Sequence, residues 1–169
     1  MQVVKTIKIP VHHALTKRKL SILNKLTAKM TYGVWLWSKL FYVHDLKGSY
    51  ADRARFHEQV KIESGLPGAM VQCCFDTASW MWKSYRKQLA EWKRRMRRAK
   101  GSWRKKPLKR QPKKPFSNGI SHKAPVWLDY QIGSIEKSRI KLGPYVARVS
   151  TLRRGVKLTI PPEPCQISS

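Results

Sequence analysis

Acidic residues are scarce in this chain: nine Asp and Glu stand against 36 Lys and Arg, a formal net charge of +27. So few carboxylates leave no cluster for two-metal hydrolysis. Cysteine is scarce as well. Cys73 and Cys74 are adjacent, adjacent cysteines rarely pair with each other, and pairing either with Cys165 leaves an odd thiol. No disulfide framework follows, which fits a reducing cytosol. No Cys-x-x-Cys pair is present for zinc. His12, His13, His44, His57 and His122 lack cysteines or carboxylates at ligand spacing, so they read as surface or linker residues and no metal or other cofactor is expected. There is no P-loop and no Gly-rich dinucleotide fingerprint. Long apolar runs are also missing. The most apolar stretch, YGVWLWSKLFYV (32–43), is too short to span a bilayer and contains Lys39. The opening MQVVKTIKIP carries no secretory pattern.

What is present is a core and a large positive charge. The 169 residues suffice for one sizeable domain or two small ones, and 41% are hydrophobic and 10% aromatic. Disordered polycations are poor in aromatics, so a folded protein is expected. Charge this unbalanced repels itself in a compact chain unless a polyanion neutralises it. Nucleic acid is the first candidate and an anionic membrane surface the second. Residues 67–125 hold 17 basic and 2 acidic side chains, against 12 and 4 in 1–66 and 7 and 3 in 126–169. The middle of the chain is therefore the expected contact.

Periodicity orders the elements. QVVKTIKIPV (2–11) is β-branched, ends at Pro10–Val11 and reads as an edge strand. A helix is predicted from Thr16, a good N-cap, with Leu20, Leu23, Met30, Val34, Trp37 and Phe41 on one face and a stop near Gly48. A weaker helix follows over 49–65, with Phe56 and Val60 one turn apart. The clearest helix starts at Pro67 and ends near Gly101. Val71, Cys74, Ala78, Met81, Tyr85, Leu89, Trp92 and Met96 alternate three and four apart along it. Residues 102–125, with four prolines, read as a basic linker. From Val126 the period changes to two. Strands are predicted at 126–132, 139–143, 145–151 and 155–161, as an antiparallel meander. The expected fold is α+β: a small antiparallel β-barrel made of 1–15 and 126–169, with a helical bundle (16–101) and the linker inserted between them.

The basic segment carries the functional expectation. Sixteen of the 32 residues from Lys83 to Lys114 are Lys or Arg, and Glu91 is the one acid. They are Lys83, Arg86, Lys87, Lys93, Arg94, Arg95, Arg97, Arg98, Lys100, Arg104, Lys105, Lys106, Lys109, Arg110, Lys113 and Lys114. All but Arg95 are taken as candidate contacts, and Arg139, Lys141, Arg153 and Arg154 join them from the strand region. Each phosphate neutralised releases counterions, so such a run gives salt-dependent and largely sequence-blind affinity. Trp103 is placed to stack on an unpaired base. The other tryptophans lie on or beside apolar stripes and read as core, with Trp127 a second one to watch. A solvated helix face with a disordered tail is the plainer alternative, and a basic amphipathic helix on a membrane is another.

Four stretches in this order, KTIKIPVHHALTKRKLSILNKL (5–26), GLPGAMVQCCFDTASWMWKSYRK (65–87), VWLDYQIGSIEK (126–137) and VSTLRRGVKLTIP (149–161), resemble the N-terminal part of the transposon-encoded TnpB nucleases and of the related type V CRISPR effectors. The resemblance implies a wedge β-barrel with an inserted helical recognition lobe. It implies guide RNA and target DNA as partners, and basic faces that cradle their heteroduplex. In such systems base pairing reads most of the sequence, while protein reads backbone shape and a short flanking motif. The resemblance also places Gln72 near that flanking duplex, with Gly68 and Ala69 where the family carries a polar pair. The family continues into a RuvC-like nuclease domain, which would hold magnesium. This chain ends at PPEPCQISS, so no catalytic residue is expected in it, and a separate RuvC-bearing subunit or a second copy is a possible partner. A generic RNA-binding or ribosome-associated protein remains the alternative.

Overall fold

In the computed structural model, residues 16–100, 110–115, 133–137, 145–152 and 157–160 are described. Three helices come first: α1 (Lys17–Val43), α2 (Tyr50–Ser64) and α3 (Gly68–Lys100). Three strands follow: β1 (Gly133–Lys137), β2 (Tyr145–Ser150) and β3 (Lys157–Ile160). Contacts divide the chain into two units, Lys29–Trp127 and a second made of Met1–Ala28 with Leu128–Ser169.

The helix boundaries have local causes. Thr16 starts α1, its Oγ1 accepting from the Lys19 amide at 3.4 Å and its carbonyl from the Leu20 amide. The helix stops at Val43, earlier than expected, because the chain turns left-handed at Asp45 (φ 45°) and again at Gly48 (φ 82°). A capping box opens α2. The Ser49 side chain accepts from the Asp52 amide, and the Asp52 carboxylate accepts from the amides of Lys47, Gly48 and Ser49. Those three bonds hold the Asp52 carboxyl below its usual range, the one from Ser49 most strongly. Gly65 closes α2 in the left-handed conformation, its amide bonded to the Lys61 carbonyl.

The helices of the Lys29–Trp127 unit enclose an aromatic core. Trp37, fully buried, meets Phe75 edge-on at 4.8 Å and donates its indole N–H to the Val71 carbonyl at 3.1 Å. Met30, Val34 and Phe41 from α1, Val60 from α2, and Met70, Val71, Cys74, Phe75 and Trp82 from α3 complete it. Burial of each such side chain contributes about 1.5–3 kcal/mol. The Trp82 indole is satisfied inside the core by Ser38 Oγ at 2.7 Å. Close approach of α1 and α3 depends on Gly33, where an added Cβ would stand 3.0 Å from Cys74 Sγ and from Leu66 Cδ1.

The strands form one sheet in the order β1-β2-β3, antiparallel throughout, with Ile135 opposite Ala147 and Val149 opposite Leu158. This corrects the expected β-barrel. The described residues are mostly helical, and three strands in one open meander do not close on themselves, since even small barrels need more. The strand predicted at 139–143 and the one at 126–132 lie outside the described residues, as does 2–11. β1 falls instead on GSIEK, a segment of low strand propensity. Pairing with β2 overrides the local preference.

Candidate nucleic-acid interface

The 33 residues of α3 exceed the 27 of α1 and the 15 of α2, and the consequence shows in its burial. Its apolar stripe is buried at Val71, Cys74, Ala78 and Tyr85, but only half-buried at Leu89, Trp92 and Met96. The stripe is therefore buried core for its first half alone, although its spacing continues unbroken to Met96. At 3.6 residues per turn, Trp80, Lys83, Lys87, Arg94 and Arg98 fall within an arc of about 60° on the face away from Cys74. All five are exposed. From Lys83 to Arg98 this face runs about 22 Å at 1.5 Å per residue, and six nucleotide steps of one duplex strand cover about 20 Å. Glu91 is the one acid in that stretch, and it pairs with Arg95 at 3.4 Å and more loosely with Arg94 at 3.9 Å.

The remaining candidates divide by place. Lys93 and Arg97 are exposed on α3, and Lys100 is its last residue. Arg86 is half-buried and engaged inside the fold. Its guanidinium donates to Asp45 Oδ1 at 2.9 Å and to the Leu46 carbonyl at 2.8 Å, and lies 5.8 Å from the Trp82 ring centre. It thereby fastens the α1–α2 turn to α3. Arg86 and, first among causes, Lys47 hold the Asp45 carboxyl below its usual range. Gln72 is half-buried in the first turns of α3. Arg110, Lys113 and Lys114 belong to a short irregular segment, 110–115, that returns to the helices. There Lys114 Nζ sits 4.3 Å above the Tyr42 ring. Trp103, Arg104, Lys105, Lys106, Lys109, Arg139, Lys141, Arg153 and Arg154 lie outside the described residues.

The same return of the chain forms an open groove. Trp80, Met81, Lys83, Ser84, Tyr85, Lys87 and Gln88 of α3 line one side, and Lys113 and Pro115 the other, around about 800 Å³. Trp80 is the residue that periodicity missed. Its place beside the apolar stripe reads as core, yet it is 63% exposed. A signal was there: Trp80 falls outside the Cys74–Ala78–Met81 spacing and three residues before Lys83, on the basic arc. Trp35 is half-buried, stacked on Tyr32 at 5.8 Å with Lys39 Nζ above it at 5.6 Å.

Among the described residues the cysteines and histidines form no site. Cys73 and Cys74 are buried and not joined in a disulfide, and burial, with Cys73 adjacent, pushes the Cys74 thiol up to about 12. His57 packs at the α2–α3 joint, its Nε2 3.3 Å from the Gly68 carbonyl, and His44 packs on Phe56. Among the described residues no group of three or more His, Cys, Asp or Glu is placed to hold a metal ion, and no helix is long and apolar enough to cross a membrane. Compared with protein-family models, with curated proteins and with solved structures, the chain finds no match.

Proposed function

We propose that the chain is an RNA-guided DNA-binding module of the TnpB or type V effector kind, working in the cytosol, with α3 as its main phosphate contact. One observation supports the binding part above all. Lys83 and Lys87 back onto the packed aromatic core, and Arg94 and Arg98 continue the same face along the half-buried second half of the helix, so these charges follow one another along a helix and do not lie on a loose tail. A row of cations facing water along a helix can neutralise a row of phosphates and release their counterions. The guide-dependent part draws on the four stretches that resemble the family. In this reading the guide RNA and its DNA target supply the sequence, and the protein supplies charge and shape. Cleavage would belong to a RuvC-bearing partner.

The test is binding of the purified chain to structured RNA encoded beside its own gene, against length-matched unrelated RNA, across a salt series. Preference for the neighbouring RNA that survives at raised salt is the expected result. Equal affinity for both RNAs at every salt concentration would sink the guide-dependent reading and leave a generic RNA-binding protein.

A further inference from the structure

We propose that the groove between α3 and segment 110–115 seats a single unpaired nucleobase, stacked on Trp80, with the flanking phosphates on Lys83, Lys87 and Lys113. This rests on the nucleic-acid reading above and names the part of the nucleic acid that the groove takes.

Three observations converge on it. A tryptophan left 63% exposed on a helix face is a large apolar surface kept in water. Its neighbours along the groove combine buried or half-buried apolar residues (Met81, Tyr85, Pro115) with exposed lysines (Lys83, Lys87, Lys113). Among the described residues no carboxylate lines the groove, so its charge suits an anion carrying a flat apolar group, which describes a nucleotide. Its volume of about 800 Å³ lies within the roughly 300–1,000 Å³ common for small-ligand sites. Ser84 and Gln88 add a hydroxyl and an amide at the lining, able to donate to or accept from a base edge.

Duplex bases are stacked on one another and cannot enter. The groove therefore favours strands with free bases, and it does so through a neutral side chain. That separates it from the phosphate row, which binds any polyanion. Stacking on an aromatic side chain is tolerant of base identity, so the seat selects unpaired over paired more than one base over another.

The experiment compares the full chain with its W80A and W80F variants on a uridine octamer, a thymidine octamer and a hairpin duplex of equal charge. Circular dichroism confirms that the variants fold, as expected for a mostly exposed position. W80A should bind the octamers roughly 5- to 150-fold more weakly, bind the hairpin within about twofold of wild type, and keep the salt slope, since no charge is lost. W80F should retain most of the affinity. Whichever octamer suffers the larger loss identifies an RNA or a DNA strand as the source of the base, and equal losses mean that the seat reads the base face alone. Octamer affinity unchanged in W80A overturns the proposal while leaving the nucleic-acid reading intact, as does an equal loss on octamer and hairpin. Polyglutamate competing as well as the octamers also overturns it. Failure of the wild-type chain to bind any of the three overturns both.

Discussion

Replacing Lys83, Lys87, Arg94 and Arg98 by Gln removes four positive charges from one face of α3 and touches no buried side chain. The fold should survive, because exposed substitutions of this kind are usually within about 0.5 kcal/mol of neutral. Binding should not. Each lost phosphate contact lowers the slope of log affinity against log salt by about 0.9 for a duplex or about 0.7 for a single strand. Four contacts therefore lower it by about 2.8–3.6. Over a fourfold rise, from about 50 to 200 mM salt, the wild type should lose roughly 50- to 150-fold more affinity than the variant. Fluorescence anisotropy with a labelled hairpin, read at five or six salt concentrations, measures both slopes. A control is Lys61→Gln on α2, whose ammonium is 3.0 Å from Glu58; it should leave the slope alone. Parallel slopes for the quadruple variant and the wild type would refute the argument, and would mean that this face is only solvated.

Three further outcomes follow from the packing. Arg86→Gln should change stability and not the salt slope, costing about 1–2 kcal/mol from the bond to the Leu46 carbonyl; a urea melt beside the salt series separates the two. Gly48→Ala places a Cβ 2.3 Å from Ser79 Oγ at a φ of 82°, a combination expected to cost about 2–4 kcal/mol and to lower the melting temperature by roughly 5–15 °C. Asp52→Ala removes the acceptor for three backbone amides and should cost about 0.5–1 kcal/mol at pH 6. Because the folded-state carboxyl of Asp52 titrates below its ordinary 3.8, its contribution is present above that value and is lost as the pH falls through the lowered one. The urea midpoints of wild type and Asp52→Ala should therefore converge in acid.

The helices were readable because their signals are local. Thr16 and Ser49 cap with their own side chains, Gly65 stops α2 by its left-handed backbone, and the Val71–Cys74–Ala78 spacing fixes which side of α3 faces inward. The early end of α1 was not readable. It depends on Gly48 fitting against Ser79 and on Arg86 reaching back to Leu46, contacts that link residues more than thirty positions apart. The strand at GSIEK was missed for a similar reason, since its partner in β2 and not its own composition makes it extended. On the functional side, the charge run picks out Lys83, Lys87, Arg94 and Arg98, which are exposed together on one face of α3. Charge alone could not show that Arg86, in the same run, is half-buried and bonded to Asp45 and the Leu46 carbonyl. Nor could an apolar count show that the aromatic ring in the open is Trp80, since a tryptophan beside a core stripe looks the same in sequence whichever way its helix is rotated.

The most direct measurement of the central claim is lysine footprinting. The chain is acetylated with and without a saturating structured RNA, and each lysine is quantified by mass spectrometry. Lys83, Lys87 and Lys113 should be protected by the RNA, while Lys61 on α2 reacts as in the free chain. Uniform reactivity at all four, or protection at Lys61 with Lys83 and Lys87 left open, would contradict the assignment of nucleic-acid contact to this face of α3.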